Sequence, residues 1–176
     1  MNSPRMQIIR GLPGSGKTTL AVKRYSQLMR LETDMLFYRR GAYRFNLENN
    51  RKAVDFFMES VSYFCSFGFD FVVTGVFSAH TERLQDTIER ALSYDYDVYI
   101  KTLRSQYNGI HAVPDAHLNA MKESFVPESV LRDFYKGEDQ VHFGLMPIDY
   151  PLAHLQINRS IVIKSAKNKI ENKRIK

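Results

Sequence analysis

The sequence predicts an α/β fold: a parallel sheet with helices on both faces. Three observations carry that expectation. Short β-prone runs alternate with stretches of helical periodicity, and such alternation builds a parallel sheet covered on two sides. The run Phe69–Val76 is apolar almost throughout, as a strand buried on both faces requires. A turn rich in glycine and proline separates the first strand from the first helix. The 176 residues suit one compact domain. A composition of 44% hydrophobic and 25% charged residues argues against wholesale disorder.

The elements follow in order. Met6–Arg10 is short and β-prone. After Lys17, apolar residues at Ala21, Tyr25, Leu28 and Met29 have helical spacing, and residues 31–37 form a weaker strand candidate. Val54, Phe57, Met58, Val61, Phe64 and Cys65 share one face of a second helix, which Gly68 ends. Ser78 can cap a third helix, with Leu84, Ile88, Ala91 and Leu92 as its core stripe. Val98–Ile100 reads as a strand. Pro114 and Pro127 each suit a first helical turn. Val130, Leu131 and Phe134 line the later helix, and His154–Ile157 is a last short strand.

Charge divides the chain. Residues 159–176 hold seven Lys/Arg against one acid and so carry the entire formal charge of +6; residues 1–158 hold 18 of each sign. The expected organisation is a neutral domain over 1–158 with a basic tail over 159–176. Such a tail is either a solvated terminus or a phosphate-seeking arm. No run of about 18 apolar residues exists to span a membrane. The first residues lack a signal-peptide core, and Cys65 has no partner for a disulfide; both fit a cytoplasmic protein. The five histidines are scattered and suggest no metal site.

The strongest chemical signal is Gly11-Leu12-Pro13-Gly14-Ser15-Gly16-Lys17-Thr18, followed by Thr19. It matches the phosphate-loop pattern G-x-x-x-x-G-K-[ST] in full, between a strand and a helix, and so predicts the P-loop NTPase fold. Glycines let successive backbone N–H groups turn inward, and the helix adds its positive end. Lys17 can reach the β and γ phosphates, and the Thr18 hydroxyl can ligate Mg²⁺. ATP or GTP is the expected ligand. A motor or switch ATPase would carry an acid at the far end of the buried third strand. Asp70 lies at that strand's start and Thr74 at its end, so a small phosphotransferase is the better expectation.

A candidate base comes from counting. A helix of about 12 residues travels roughly 18 Å from the phosphates, and five strand residues return about 16 Å. That places Asp34 at the phosphate edge, where a carboxylate can take a proton from an incoming hydroxyl. The alternative is a turn or N-cap aspartate. Beyond it, Arg39, Arg40 and Arg44 interleave with Tyr38, Tyr43 and Phe45. They either grip acceptor phosphates and stack a base, or are solvated arginines among core aromatics.

Gly11–Thr19, Thr33-Asp34 and Tyr43-Arg44-Phe45-Asn46 together resemble the polynucleotide-kinase-like P-loop kinases, a group that includes phage-encoded ATP-binding proteins. The resemblance covers roughly residues 6–135. It implies that Lys17 and Thr18 handle ATP and Mg²⁺ and that Asp34 is the catalytic aspartate. It also departs at three places. Met35 stands where a second aspartate is usual, and Gly75-Val76 where polar residues are usual. The resemblance further implies a small helical lid, entered through Asn108–Pro114, where Asn108 stands in place of an arginine found in a kinase of that group. Arg104, Lys122 or Arg132 could replace that arginine. The expected function is ATP-dependent transfer to a hydroxyl, with a nucleic-acid 5′ end as favoured acceptor. The alternatives are a small-molecule, nucleoside or modified-base kinase, or an ATP-binding regulatory protein with little transfer activity.

Overall fold

A computed structural model of the chain describes residues 3–40, 42–77, 81–105 and 113–148. Residues up to Met146 belong to one compact unit. The second unit, Pro147–Lys176, lies outside the described residues except for its first two, as do the expected strand at 154–157 and the basic tail. Ser78 and Asn108–Ala112 also lie outside them.

The main sheet has five strands: β1 (Arg5–Gly11), β2 (Met29–Glu32), β5 (Phe71–Gly75), β6 (Asp97–Leu103) and β7 (Val141–Phe143). They run in the order β2-β5-β1-β6-β7, and every pairing is parallel. All strand C-termini therefore meet one edge, where a parallel α/β sheet binds its ligand. The chain leaves β1 at that edge and enters α1 (Lys17–Arg24) through the glycine-rich turn. A short 3-10 helix (Thr33–Phe37) and a hairpin of β3 (Tyr38–Arg39) and β4 (Ala42–Tyr43) follow β2. The remaining helices are α2 (Leu47–Ser66), α3 (Thr81–Leu92), α4 (Asp115–Glu123) and α5 (Glu128–Phe134).

Strand alternation sorts the core into two layers. Met6 and Ile8 of β1 pack with Phe57, Val61 and Phe64 of α2, Leu84 and Ile88 of α3, and Leu131 and Tyr135 at α5. Ile9 and Val72 face the other way, onto Ala21, Tyr25 and Met146. Of the α2 stripe read from the sequence, Phe57, Val61, Phe64 and Cys65 are buried and Val54 and Met58 partly so, and Gly68, at φ +66°, follows the last turn. Asp70, at the opposite edge from the turn, is held by the Arg5 guanidinium at 3.0 Å and the Arg5 N–H at 2.7 Å.

Several expectations need correction. The first helix has eight residues, because Tyr25 leaves helical geometry. Its hydroxyl is drawn into the core, donating to Gln7 Oε1 at 2.8 Å and to the Met146 carbonyl. The strand expected at 31–37 is β2 over Met29–Glu32, and the residues after it coil into the 3-10 turn that buries Phe37. On α5 only Leu131 of the expected apolar trio is buried. Val130 and Phe134 are exposed, and Tyr135 takes the second core position. The hairpin and β7 were not anticipated; each is only two or three residues per strand, too short for a periodic signal.

Candidate active site

The loop between β1 and α1 is shaped by its glycines. Gly14 and Gly16 adopt φ of +76° and +85°, the left-handed region that side chains avoid. Gly11 is constrained by space: a Cβ there would stand 2.5 Å from Ser15 Oγ and 2.7 Å from the Leu103 carbonyl oxygen of β6. The Ser15 hydroxyl is buried without a hydrogen-bond partner. The buried, orphaned Ser15 hydroxyl between the left-handed Gly14 and Gly16 fits a polyoxygen ligand. Gly11→Ala is expected to displace the loop or the end of β6. Overpacking of this kind costs about 1–3 kcal/mol. Chemical denaturation should register that loss, and ATP titration a weakened affinity.

Lys17 opens α1 and folds back over the loop. Its Nζ donates to the Gly11 carbonyl at 2.8 Å and to the Leu12 carbonyl at 2.9 Å. Burial pulls its pKa down to about 8, against the opposing pull of Asp34 and Glu32. Both carboxylates therefore bear on the ammonium. Asp34, exposed in the 3-10 turn just past β2, lies on the same rim as the loop.

Glu32 joins the candidate site, and the sequence reading missed it. It ends β2 in register with Thr74 of β5, so an acid stands one strand away from the end of the buried strand. Its Oε1 accepts a hydrogen bond from Thr18 Oγ1 at 3.0 Å and lies 3.1 Å from Arg30 Nε. A hydroxyl and a carboxylate set side by side are the hard oxygen donors that Mg²⁺ selects. The available signal was the alternation Glu32-Thr33-Asp34, two acids leaving one strand end. Thr19 is exposed on α1's first turn, and Leu12, Pro13, Gly14 and Gly16 are partly buried in the loop.

The arginine-rich segment falls into separate roles. Arg40 and Arg44 are exposed; Arg40 occupies the hairpin turn at φ +52°. Arg39 lies in β3, its side chain outside the described set. Tyr38 and Phe45 are exposed rather than core, Phe45 lying 5.1 Å from the buried Phe37 ring. Asn46 caps α2: its Oδ1 accepts from the N–H groups of Glu48 and Asn49. Arg104 is exposed just past the end of β6. Lys122 is exposed on α4. Arg132 donates to Glu128 Oε1 at 2.8 and 3.2 Å and lies over the Phe143 ring at 4.6 Å. Among the described residues no group of three or more His, Cys, Asp or Glu is arranged to hold a metal, and no helix is long and apolar enough to cross a membrane.

No family model matches the sequence, and no curated protein does. Solved structures are similar in fold. A sugar kinase from Janibacter sp. HTCC2649 superposes with a TM-score of 0.52 at 17% identity, over 90% of this chain and 92% of that one. Kti12 from Chaetomium thermophilum, in complex with ADP-AlF3, gives 0.49 at 13% identity, over 92% and 97%. A chain of the Pnkp1/Rnl/Hen1 complex gives 0.47 at 20% identity, over 68% of this chain and 39% of that one. With the five parallel strands, the glycine turn after the central strand and the first of these superpositions, the chain has the α/β P-loop fold.

Proposed function

We propose that this protein is an ATP-dependent phosphotransferase that moves the γ-phosphate to a hydroxyl, with a polynucleotide 5′-hydroxyl as the favoured acceptor. One observation carries the reading: at one end of the glycine-shaped loop, Lys17 Nζ folds onto the Gly11 and Leu12 carbonyls while the next residue, Thr18, donates its hydroxyl to the Glu32 carboxylate at 3.0 Å. The backbone N–H groups of the loop would bind the phosphates, and Lys17 would leave the Gly11 and Leu12 carbonyls to follow the β and γ oxygens. Thr18 and Glu32 would hold Mg²⁺, which when bound neutralises charge on the transferring group.

The acceptor oxygen forms its bond to the γ-phosphorus as the bond to the bridging oxygen breaks and ADP departs. Asp34 takes the acceptor's proton and passes it to water. Most of the rate then comes from alignment and fixed charge. Exposed Arg40 and Arg44, beyond the same strand end, support a phosphate-bearing acceptor. A second reading, a small-molecule hydroxyl acceptor, draws support from the sugar kinase of similar length.

The test is transfer from γ-labelled ATP with Mg²⁺ to 5′-hydroxyl oligonucleotides, 5′-phosphorylated oligonucleotides, nucleosides and sugars. Label on the 5′-hydroxyl strands alone is the expected result. Label on monomers moves the assignment to the second reading. Tight ATP binding with no transfer to any acceptor leaves a regulatory ATP-binding protein instead.

A further inference from the structure

Arg10 is unused by the chemistry above, yet it is a charge with no exposed surface at all. It precedes Gly11 on the central strand and shares a face with Met6 and Ile8 of the core. An apolar side chain there would be the cheaper solution, since buried ions are often no more stable than hydrophobes of the same volume. Its contacts show what the charge does. Nη2 donates to the Val126 carbonyl at 2.6 Å, and the guanidinium lies 4.2 Å from the centre of the Phe125 ring. Glu128 opposes the penalty of its burial. Every one of these partners belongs to the α4–α5 joint or to the first turn of α5.

The two helices of that pair are held differently. Helix α5 is docked by Leu131 and, just past its end, by Tyr135; Arg132 fastens it further by lying over the Phe143 ring of β7. Helix α4 buries no residue. The joint between them, Ser124–Pro127, is where Arg10 takes hold. We propose that Arg10 is a positioning residue that latches this joint to the phosphate loop, so that loop occupancy and the placement of α4 form one coupled equilibrium. Its backbone leads directly into Gly11, whose carbonyl Lys17 holds. Its Nε and Nη1 have no hydrogen-bond partner, leaving donors for a second arrangement of the joint. Buried donors left unmet are costly, so a shift that supplies them with oxygens is favoured.

The coupling rests on the nucleotide-binding reading, and the test separates the two. Amide hydrogen exchange is compared in wild type, Arg10→Met and Phe125→Leu, with and without a non-hydrolysable ATP analogue and Mg²⁺. Without nucleotide, Arg10→Met should speed exchange over residues 115–126 about tenfold while α2 and β5 stay unchanged. The analogue should slow that stretch in wild type and leave it untouched in Arg10→Met, with Phe125→Leu intermediate. A purely structural arginine would instead change the global melting temperature and every segment together. Equal exchange over 115–126 in wild type and Arg10→Met overturns the latch, as does intact protection by the analogue in Arg10→Met. If Arg10→Met fails to fold, wild-type rates in Phe125→Leu overturn it. A wild type that binds no analogue overturns the reading of the loop, while the nucleotide-free comparison still decides the latch.

Discussion

Lys17→Met is expected to lower ATP affinity at least about 100-fold while leaving the fold intact, because the change deletes a charge and keeps the volume. A charge pair at 4 Å contributes about 4 kcal/mol where the effective dielectric is near 20, and a triphosphate offers more than one such partner. The stability side runs the other way. The folded protein penalises the ammonium, whose pKa sits at about 8 rather than at the ordinary 10.5. That penalty is fully present below about pH 8 and is relieved as pH rises from there toward 10.5. Wild type should therefore gain stability over that window, and Lys17→Met should not. Denaturation midpoints at pH 7 and pH 9.5 check this, and a large fall in the mutant's midpoint at pH 7 would contradict it. Nucleotide reverses the sign: a bound triphosphate raises the lysine's pKa. Binding should then take up a proton above about pH 8 and none well below it. Calorimetry in two buffers of different ionisation enthalpy reads that uptake directly.

What the sequence disclosed, and what it hid, follows from the range of the forces involved. The loop was legible because its pattern encodes backbone geometry residue by residue, and Gly14 and Gly16 adopt the left-handed angles that pattern demands. The buried stripes of α2 and α3 were legible because one apolar face repeats over several turns. Asp34 reached the expected edge although both lengths used to place it were too long. The real helix of eight residues rises about 12 Å and the real strand of four returns about 13 Å, so the two errors cancelled. Tyr25 ends that helix through a hydrogen bond to Gln7, 18 positions away in the chain. No local pattern announces such a contact. Glu32 was hidden for a similar reason, since its meaning comes from Thr74 beside it and Thr18 beneath it. Val130 and Phe134 misled because a seven-residue helix is too short for periodicity to separate core from surface.

Asp34→Asn and Glu32→Gln should divide the chemistry between them. Asparagine keeps the size of Asp34 and removes its ability to accept a proton, so turnover should fall about 10²–10⁴-fold. ATP affinity should hold or improve slightly, because one negative charge near the triphosphate has gone. Glutamine at position 32 can still accept the Thr18 hydroxyl through its amide oxygen, but it no longer offers a charged oxygen to Mg²⁺ or to Arg30. Turnover at saturating Mg²⁺ should then survive better than in Asp34→Asn, while the Mg²⁺ concentration for half-maximal rate rises. The comparison discriminates because the two acids lie two positions apart on one rim and both oppose the burial penalty on Lys17. A generic loss of negative charge would affect rate and Mg²⁺ demand alike in both variants. If the two profiles coincide, the division of labour between base and metal holder is wrong. If only Glu32→Gln loses turnover with Mg²⁺ in excess, the base is Glu32, and Asp34 is a turn residue.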